Sequence, residues 1–180
     1  MKDETALDQV LLGIKLLMCP HCRKTGTLIG HGFLRGYAEH GSQLLVRGRR
    51  FFCSDRGRRA GCGRTFSVKI QTVLSGFVVC TLTLWCFLQG VIAGLTRRAA
   101  WLREAACALS LSSGYRLWRR LCAAQSALRA RLCREAPAPP SSAREPLAQL
   151  CVHLRRVIGG QETELFSAYQ ARMQRGLFDS

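Results

Sequence analysis

The chain is short of acids, almost free of lysine, and holds one long stretch with no charge. Its 180 residues carry 11 acidic side chains against 27 basic ones. The acids are scattered from Asp3 to Asp179, and no group of them falls on successive strand ends, which argues against a metal-binding acidic triad held on a sheet. The four histidines (His21, His31, His40 and His153) pair with no credible nucleophile: His21 lies inside a cysteine pair and His153 in a helical stretch. The sequence therefore predicts no enzyme. A secretory signal is not expected either, because Asp3, Glu4 and Asp8 stand where a positive leader segment would be. A disulfide framework is equally out of place. Four of the ten cysteines have metal spacing. The other six (Cys80, Cys86, Cys107, Cys122, Cys133 and Cys151) lie singly in helical, apolar surroundings, where a free cysteine acts as a small hydrophobe. A reducing, cytoplasmic compartment fits this usage.

What is abundant is arginine. Only Lys2, Lys15, Lys24 and Lys69 are lysines; the other 23 basic residues are arginines, and the net charge is +16. A coding bias toward arginine would account for much of that choice, but not for its segregation. Residues 1–22 have net charge −1, residues 23–69 +9, residues 70–96 none, residues 97–134 +8, and residues 135–180 zero. Two separate positive blocks are the electrostatic footprint of a polyanion binder, and arginine suits bidentate phosphate and guanine contacts.

The organising stretch is Cys19-Pro20-His21-Cys22, answered by Cys53 and Cys62. A pair of cysteines two apart supplies half of a tetrahedral thiolate site, and four thiolates suit one structural zinc ion with no open position for catalysis. The alternatives are four buried free thiols, or His21, His31 or His40 in place of one cysteine. Residues 27–34, 43–52 and 64–70 read as strands, with a turn near 39–42, so the predicted module spans 18–69. It is too small to hold a core without the metal. Eight residues separate Cys53 from Cys62, so 54–61 should bulge out as a basic loop. Arg47, Arg49 and Arg50, with Arg56, Arg58 and Arg59 on the bulge, would form one basic edge for phosphate contact. Ahead of the module, residues 1–17 hold a short amphipathic helix with Leu7, Val10, Leu11, Ile14 and Leu17 at helical spacing.

Cys-Pro-His-Cys, then His-Gly-Phe, then Val-Arg-Gly-Arg-Arg-Phe-Phe-Cys, then Cys-Gly-Arg-Thr-Phe-Ser resembles the zinc ribbon at the front of bacterial insertion-sequence transposases. The resemblance covers about a third of the chain. It implies that Cys19, Cys22, Cys53 and Cys62 are the metal ligands and that 64–66 belong to the closing strand. Two features depart from the family pattern: Arg23 stands where such knuckles often carry glycine, and the second knuckle is expanded. The family's acidic catalytic domain has no counterpart here.

The uncharged stretch 70–96 has the length of a transmembrane candidate, flanked by Lys69, Arg97 and Arg98. Gln71, Thr72, Ser75, Gly76, Thr81, Thr83 and Gln89 dilute it. With a helix start at Ser75-Gly76 and an end near Gly94, the remaining helix over 78–93 is short for a span and reads better as a buried helix. Residues 73–133 are then a helical domain. Thr96 caps a helix through about 108, a turn follows at 109–111, and Ser112 caps a basic helix over 113–133, the helix-turn-helix arrangement. In that second helix Leu117, Trp118, Leu121, Cys122, Leu128 and Leu132 form the inward stripe, while Arg116, Arg119 and Arg120 share an outward face. Ser113 and Gly114 lie in its first turn, where a small residue would allow close approach to base edges. This segment is similar to the recognition helix of mobile-element proteins.

Residues 134–146, with four prolines, read as a linker. Residues 147–178 read as two helices broken near Gly159-Gly160 that pack or self-associate. The expected class is α+β: a small β zinc ribbon, a helix-turn-helix domain and a C-terminal helical hairpin. The expected function is zinc-dependent binding of double-stranded DNA by Arg47, Arg49, Arg50, Arg56, Arg58, Arg59, Ser113, Arg116, Arg119 and Arg120, as an accessory or regulatory factor of a mobile element. A transposase subunit or a second copy bound through the C-terminal helices would be a further partner. The alternatives are a membrane-anchored protein spanning at 73–95, and a protein-interaction module whose arginines only solubilise.

Overall fold

A computed structural model describes residues 3–104 and 109–178. Among these residues the chain is mixed, with six α-helices and one three-stranded antiparallel sheet. It divides into two compact units, Met1–Ala38 with Ser42–Gln71, and Thr72–Ser180 with Glu39–Gly41.

The first unit begins with α1 (Glu4–Leu12), whose Asp3 cap accepts the Ala6 amide at 2.8 Å. The amphipathic pattern predicted helix through residue 17. Gly13 ends α1 instead, and Ile14–Leu16 tighten into a single 3-10 turn. Leu7 is buried, while Leu12, Leu16 and Leu17 remain exposed. The sheet follows in order β1 (Leu28–Tyr37), β2 (Leu44–Cys53) and β3 (Thr65–Lys69). The register of β1 shifts between Gly30 and Gly32 and again between Leu34 and Arg35. Phe51 and Phe66 face each other across β2 and β3 with ring centroids 5.5 Å apart. The fully buried apolar side chains here are few: Leu7, Leu28 and Phe51, with Cys19 and Cys53.

The second unit is helical. Its centre is α2 (Thr81–Ile92), which buries Leu84, Trp85, Phe87 and Leu88. Ser75-Gly76 form a turn rather than the helix start that the sequence suggested, and Cys80 is the cap residue. A twelve-residue helix rises only about 18 Å, against about 30 Å of bilayer hydrocarbon. Among the described residues no helix is long and apolar enough to cross a membrane.

The next two helices are α3 (Arg97–Glu104) and α4 (Leu111–Glu135). The expected end of the first helix at 108 falls outside the described residues. The second starts two residues earlier than the sequence suggested, with Ser110 rather than Ser112 as its cap residue. Leu117, Leu121, Leu128 and Leu132 form its buried stripe. Trp118 is only half-buried and Cys122 is exposed, so the inward face is narrower than expected. The irregular segment 136–145 leads to α5 (Pro146–Ile158) and α6 (Leu165–Met173). These helices share one apolar core with α2, α3 and α4. Arg172 ties them down, donating to Val157 O at 2.8 Å and to Glu135 Oε2 at 3.1 Å.

Gly114 has a different task from the one its position suggested. It is buried, and a Cβ there would stand 2.6 Å from the Trp101 ring. Trp101 is itself buried and packs edge-on against Phe87 at 5.2 Å. The missing side chain therefore lets α3 approach α4 and leaves no surface for a base edge. Gly114→Ala adds a methyl group that a pinned indole cannot avoid. Overpacking of this kind costs about 1–3 kcal/mol, which outweighs the gain of about 1 kcal/mol from alanine's helix propensity. The variant should lose about 1 kcal/mol of stability, and denaturant unfolding followed by tryptophan emission measures it.

Candidate metal centre

The first unit gathers Cys19, Cys22, Cys53 and Cys62 at one end of the sheet, with all four Sγ atoms within 4.8 Å of one another. Cys19 and Cys62 Sγ are 3.8 Å apart, and Cys22 and Cys53 Sγ are 3.7 Å apart. Four thiolates set tetrahedrally at about 2.3 Å from a zinc ion stand about 3.8 Å from each other. The donor set and its spacing thus fit one metal ion of zinc's size, closed on all sides by protein sulfur. The histidines lie otherwise: His21 packs edge-on to Phe66 at 6.3 Å, and His31 lies beside Phe52 at 6.0 Å.

Each half of the cluster is shaped by backbone hydrogen bonds. In the first, Arg23 N donates to Cys19 O at 2.8 Å, Cys19 N donates to Lys24 O at 3.0 Å, and His21 N points at Cys19 Sγ at 3.4 Å. This tight reversal places Arg23 in the left-handed region at φ 58°. In the second half, the eight extra residues are pinched off at their base. Gly61 N donates to Ser54 O at 2.9 Å and Gly63 N to Cys53 O at 2.9 Å. Cys53 and Cys62 therefore come together, with Cys62 N donating to Cys53 Sγ at 3.3 Å, and 55–60 project as an exposed loop. Gly61 is required for the pinch, since a Cβ there would lie 2.2 Å from Ser54 O and 2.8 Å from Cys53 Sγ. Sequence reasoning missed Gly61, and it missed Thr27, whose buried hydroxyl touches Cys53 Sγ at 3.2 Å.

The sulfurs are unequal. Burial pushes the Cys53 thiol up, but the Thr27 hydroxyl, the Cys62 amide and the Cys19 and Cys22 thiols together outweigh it and bring Cys53 down to about 6. Burial drives Cys62 up to about 11; the Arg64 backbone opposes this, and the other three sulfurs reinforce it. Without a metal, Cys53 thus ionises well below the ordinary thiol range, while Cys62 keeps its proton through neutral pH.

The arginines proposed for nucleic acid separate into two groups. Arg56, Arg58 and Arg59 stand exposed on the pinched loop, and Arg50 is exposed on β2. Arg49 is half-buried, 4.1 Å over the Phe33 ring and 3.8 Å from Asp8 on α1. Arg47 is also half-buried, lying across Gly36. In the second unit, Arg116, Arg119 and Arg120 are exposed on one face of α4. Ser113 is half-buried beside them and accepts from Arg116 at 3.4 Å.

Two outcomes follow from the cluster. Its unit has little other core, so a strong chelator should unfold the sheet while leaving the helical unit intact. All three tryptophans (Trp85, Trp101, Trp118) belong to the helical unit, so amide signals of 18–69 should collapse to random-coil positions with tryptophan emission unchanged. Metal binding must also expel the Cys62 proton. Affinity should therefore rise about tenfold or more per pH unit between pH 6 and 8, and steepen by about another tenfold per unit below pH 6, where Cys53 reprotonates. Competition with a chelator of known affinity measures that slope, and a pH-independent affinity would rule out thiolate ligation.

No family model, curated protein or solved structure matches the chain.

Proposed function

We propose that this protein is a zinc-dependent, duplex-DNA-binding protein without catalytic chemistry of its own, acting as an accessory or regulatory factor of a mobile element. The observation that carries the reading is a closed four-thiolate cluster that extrudes an exposed loop bearing Arg56, Arg58 and Arg59. A closed thiolate site has no position for a substrate, so its role is to shape the surface around it. That surface is positive, and so is the outward face of α4 with Arg116, Arg119 and Arg120. In this reading the arginine loop takes phosphates. The start of α4 follows α3 as a recognition helix follows its partner, and Arg116 and Arg120 supply any base preference. Ser113 contributes by holding Arg116 rather than by reaching the groove alone. The cysteine, glycine and arginine pattern that resembles insertion-sequence zinc ribbons supports the mobile-element assignment.

A second reading, a protein-docking module, is favoured by one feature: Leu12, Leu16 and Met18 are 81%, 84% and 63% exposed in a short run. Binding of the zinc-loaded chain to random duplex DNA, followed by fluorescence anisotropy across a salt series, separates the two. Phosphate-dominated binding weakens linearly with log salt, with a slope of about −0.9 per phosphate neutralised. R116E/R119E/R120E should weaken binding more than tenfold and flatten the slope by about 1, because Arg116 and Arg120 face bases in this reading and Arg119 is left for the phosphates. A folded, zinc-loaded protein that ignores DNA at low salt would overturn the proposal in favour of docking.

A further inference from the structure

The two halves of the cysteine cluster enclose a groove that the metal alone does not explain. Its walls are the turn after Cys22, with Arg23, Lys24 and Thr27, and the end of the pinched loop, with Arg58, Arg59 and Ala60. The groove is open to solvent and measures about 460 Å³, with four cationic side chains and no acidic one along it. Lys24 Nζ donates to Ala60 O at 2.9 Å and so bridges the walls. An ammonium has three donors, so Lys24 can hold Ala60 and still face a ligand. Thr27 joins the groove to the metal site, because its hydroxyl contacts both Lys24 O at 3.4 Å and Cys53 Sγ at 3.2 Å.

We propose that this groove is a phosphate-binding site assembled by metal ligation, with Arg23, Lys24, Arg58 and Arg59 as its donors. Resting on the DNA reading, its ligand is one phosphodiester of the duplex backbone. Arg23 and Lys24 lie one and two residues after Cys22, and Arg58 and Arg59 lie four and three before Cys62. Each wall is thus anchored at a cysteine of the cluster, and the distance between the walls is set when the sulfurs converge on one ion. Three guanidinium forks and an ammonium on facing walls suit a tetrahedral oxyanion, which accepts from several directions at once. The site adds Arg23 and Lys24 to the DNA surface and makes that part of the surface metal-dependent, whereas the arginines of α4 belong to a unit with its own core.

The test uses the full zinc-loaded chain and R23G/R58S/R59S. Glycine is the natural substitute at the left-handed Arg23. Substitution of cobalt for zinc, giving the same thiolate spectrum in both proteins, shows that the cluster survives. Pyrophosphate should shift the amide signals of residues 23–27 and 58–60 in the parent, and should do neither in the variant nor after chelation. With duplex DNA, the variant's salt slope should flatten by about one, the share of a single phosphate contact. An unchanged slope, in a parent that binds DNA, would overturn the groove site and leave the DNA reading standing. Pyrophosphate shifts in the groove of a parent that ignores duplex DNA would support the phosphate site and overturn the DNA reading. Shifts confined to α4, or equal in parent and variant, would overturn the groove site outright.

Discussion

Convergence of four sulfurs on one point is the constraint from which the rest of the N-terminal unit follows. Among the described residues, three apolar side chains and two of the cysteines are the only hydrophobic groups that this unit buries fully. Burial at about 25 cal/mol per Å² from so few groups cannot offset the entropy of ordering a module this small. A metal held by the four cysteines would cross-link β2, the turn after α1 and the approach to β3, and so replace the core that the sequence does not provide. The Cys62 amide and the Thr27 hydroxyl, both directed at Cys53 Sγ, stabilise its thiolate over its thiol and prepare the cluster for a cation.

The same constraint sorts the arginines. Along β2 the strand alternation sends Arg49 inward against Phe33 and α1, where its stem covers apolar surface and its charge meets Asp8. That ion pair at 3.8 Å is partly solvated and contributes no more than about 1 kcal/mol, so Arg49 matters mainly as packing. Arginine count alone therefore overstates the charged surface. The loop 55–60 has no such duty, because its backbone is closed off at Ser54 and Gly61 and its side chains have nothing to cover.

Much of the first unit was legible because its signals are local. Cysteine spacing, alternating strands and a turn near Gly41 placed the three strands within a few residues, and the cysteine cluster formed from the four positions expected. The expanded second knuckle was visible only as an irregular spacing, since the Gly61 to Ser54 pinch depends on a contact across seven residues. The helical unit was read less well where tertiary packing decides. Gly114 in a first helical turn carries no mark of whether it faces solvent or an indole, and only the approach of Trp101 settles it. Cys122 fits the apolar periodicity of α4, but the stripe between α4 and its neighbours is only wide enough for the leucines. The early start of α4 reflects the weakness of serine runs as boundary signals, since Ser110, Ser112 and Ser113 are all good caps.

Arg23 links stability to surface chemistry most directly. The knuckle requires a left-handed residue after Cys22, and a non-glycine residue there costs about 1 kcal/mol. Glycine would remove that cost without disturbing the Arg23 N to Cys19 O bond that closes the turn. Its side chain is exposed and covers no core, so packing does not repay the strain. Lys24 beside it at least bridges to Ala60; Arg23 contributes only charge at the mouth of the groove. A strained backbone position occupied by a solvent-facing guanidinium is what a binding surface would retain and a purely structural knuckle would not.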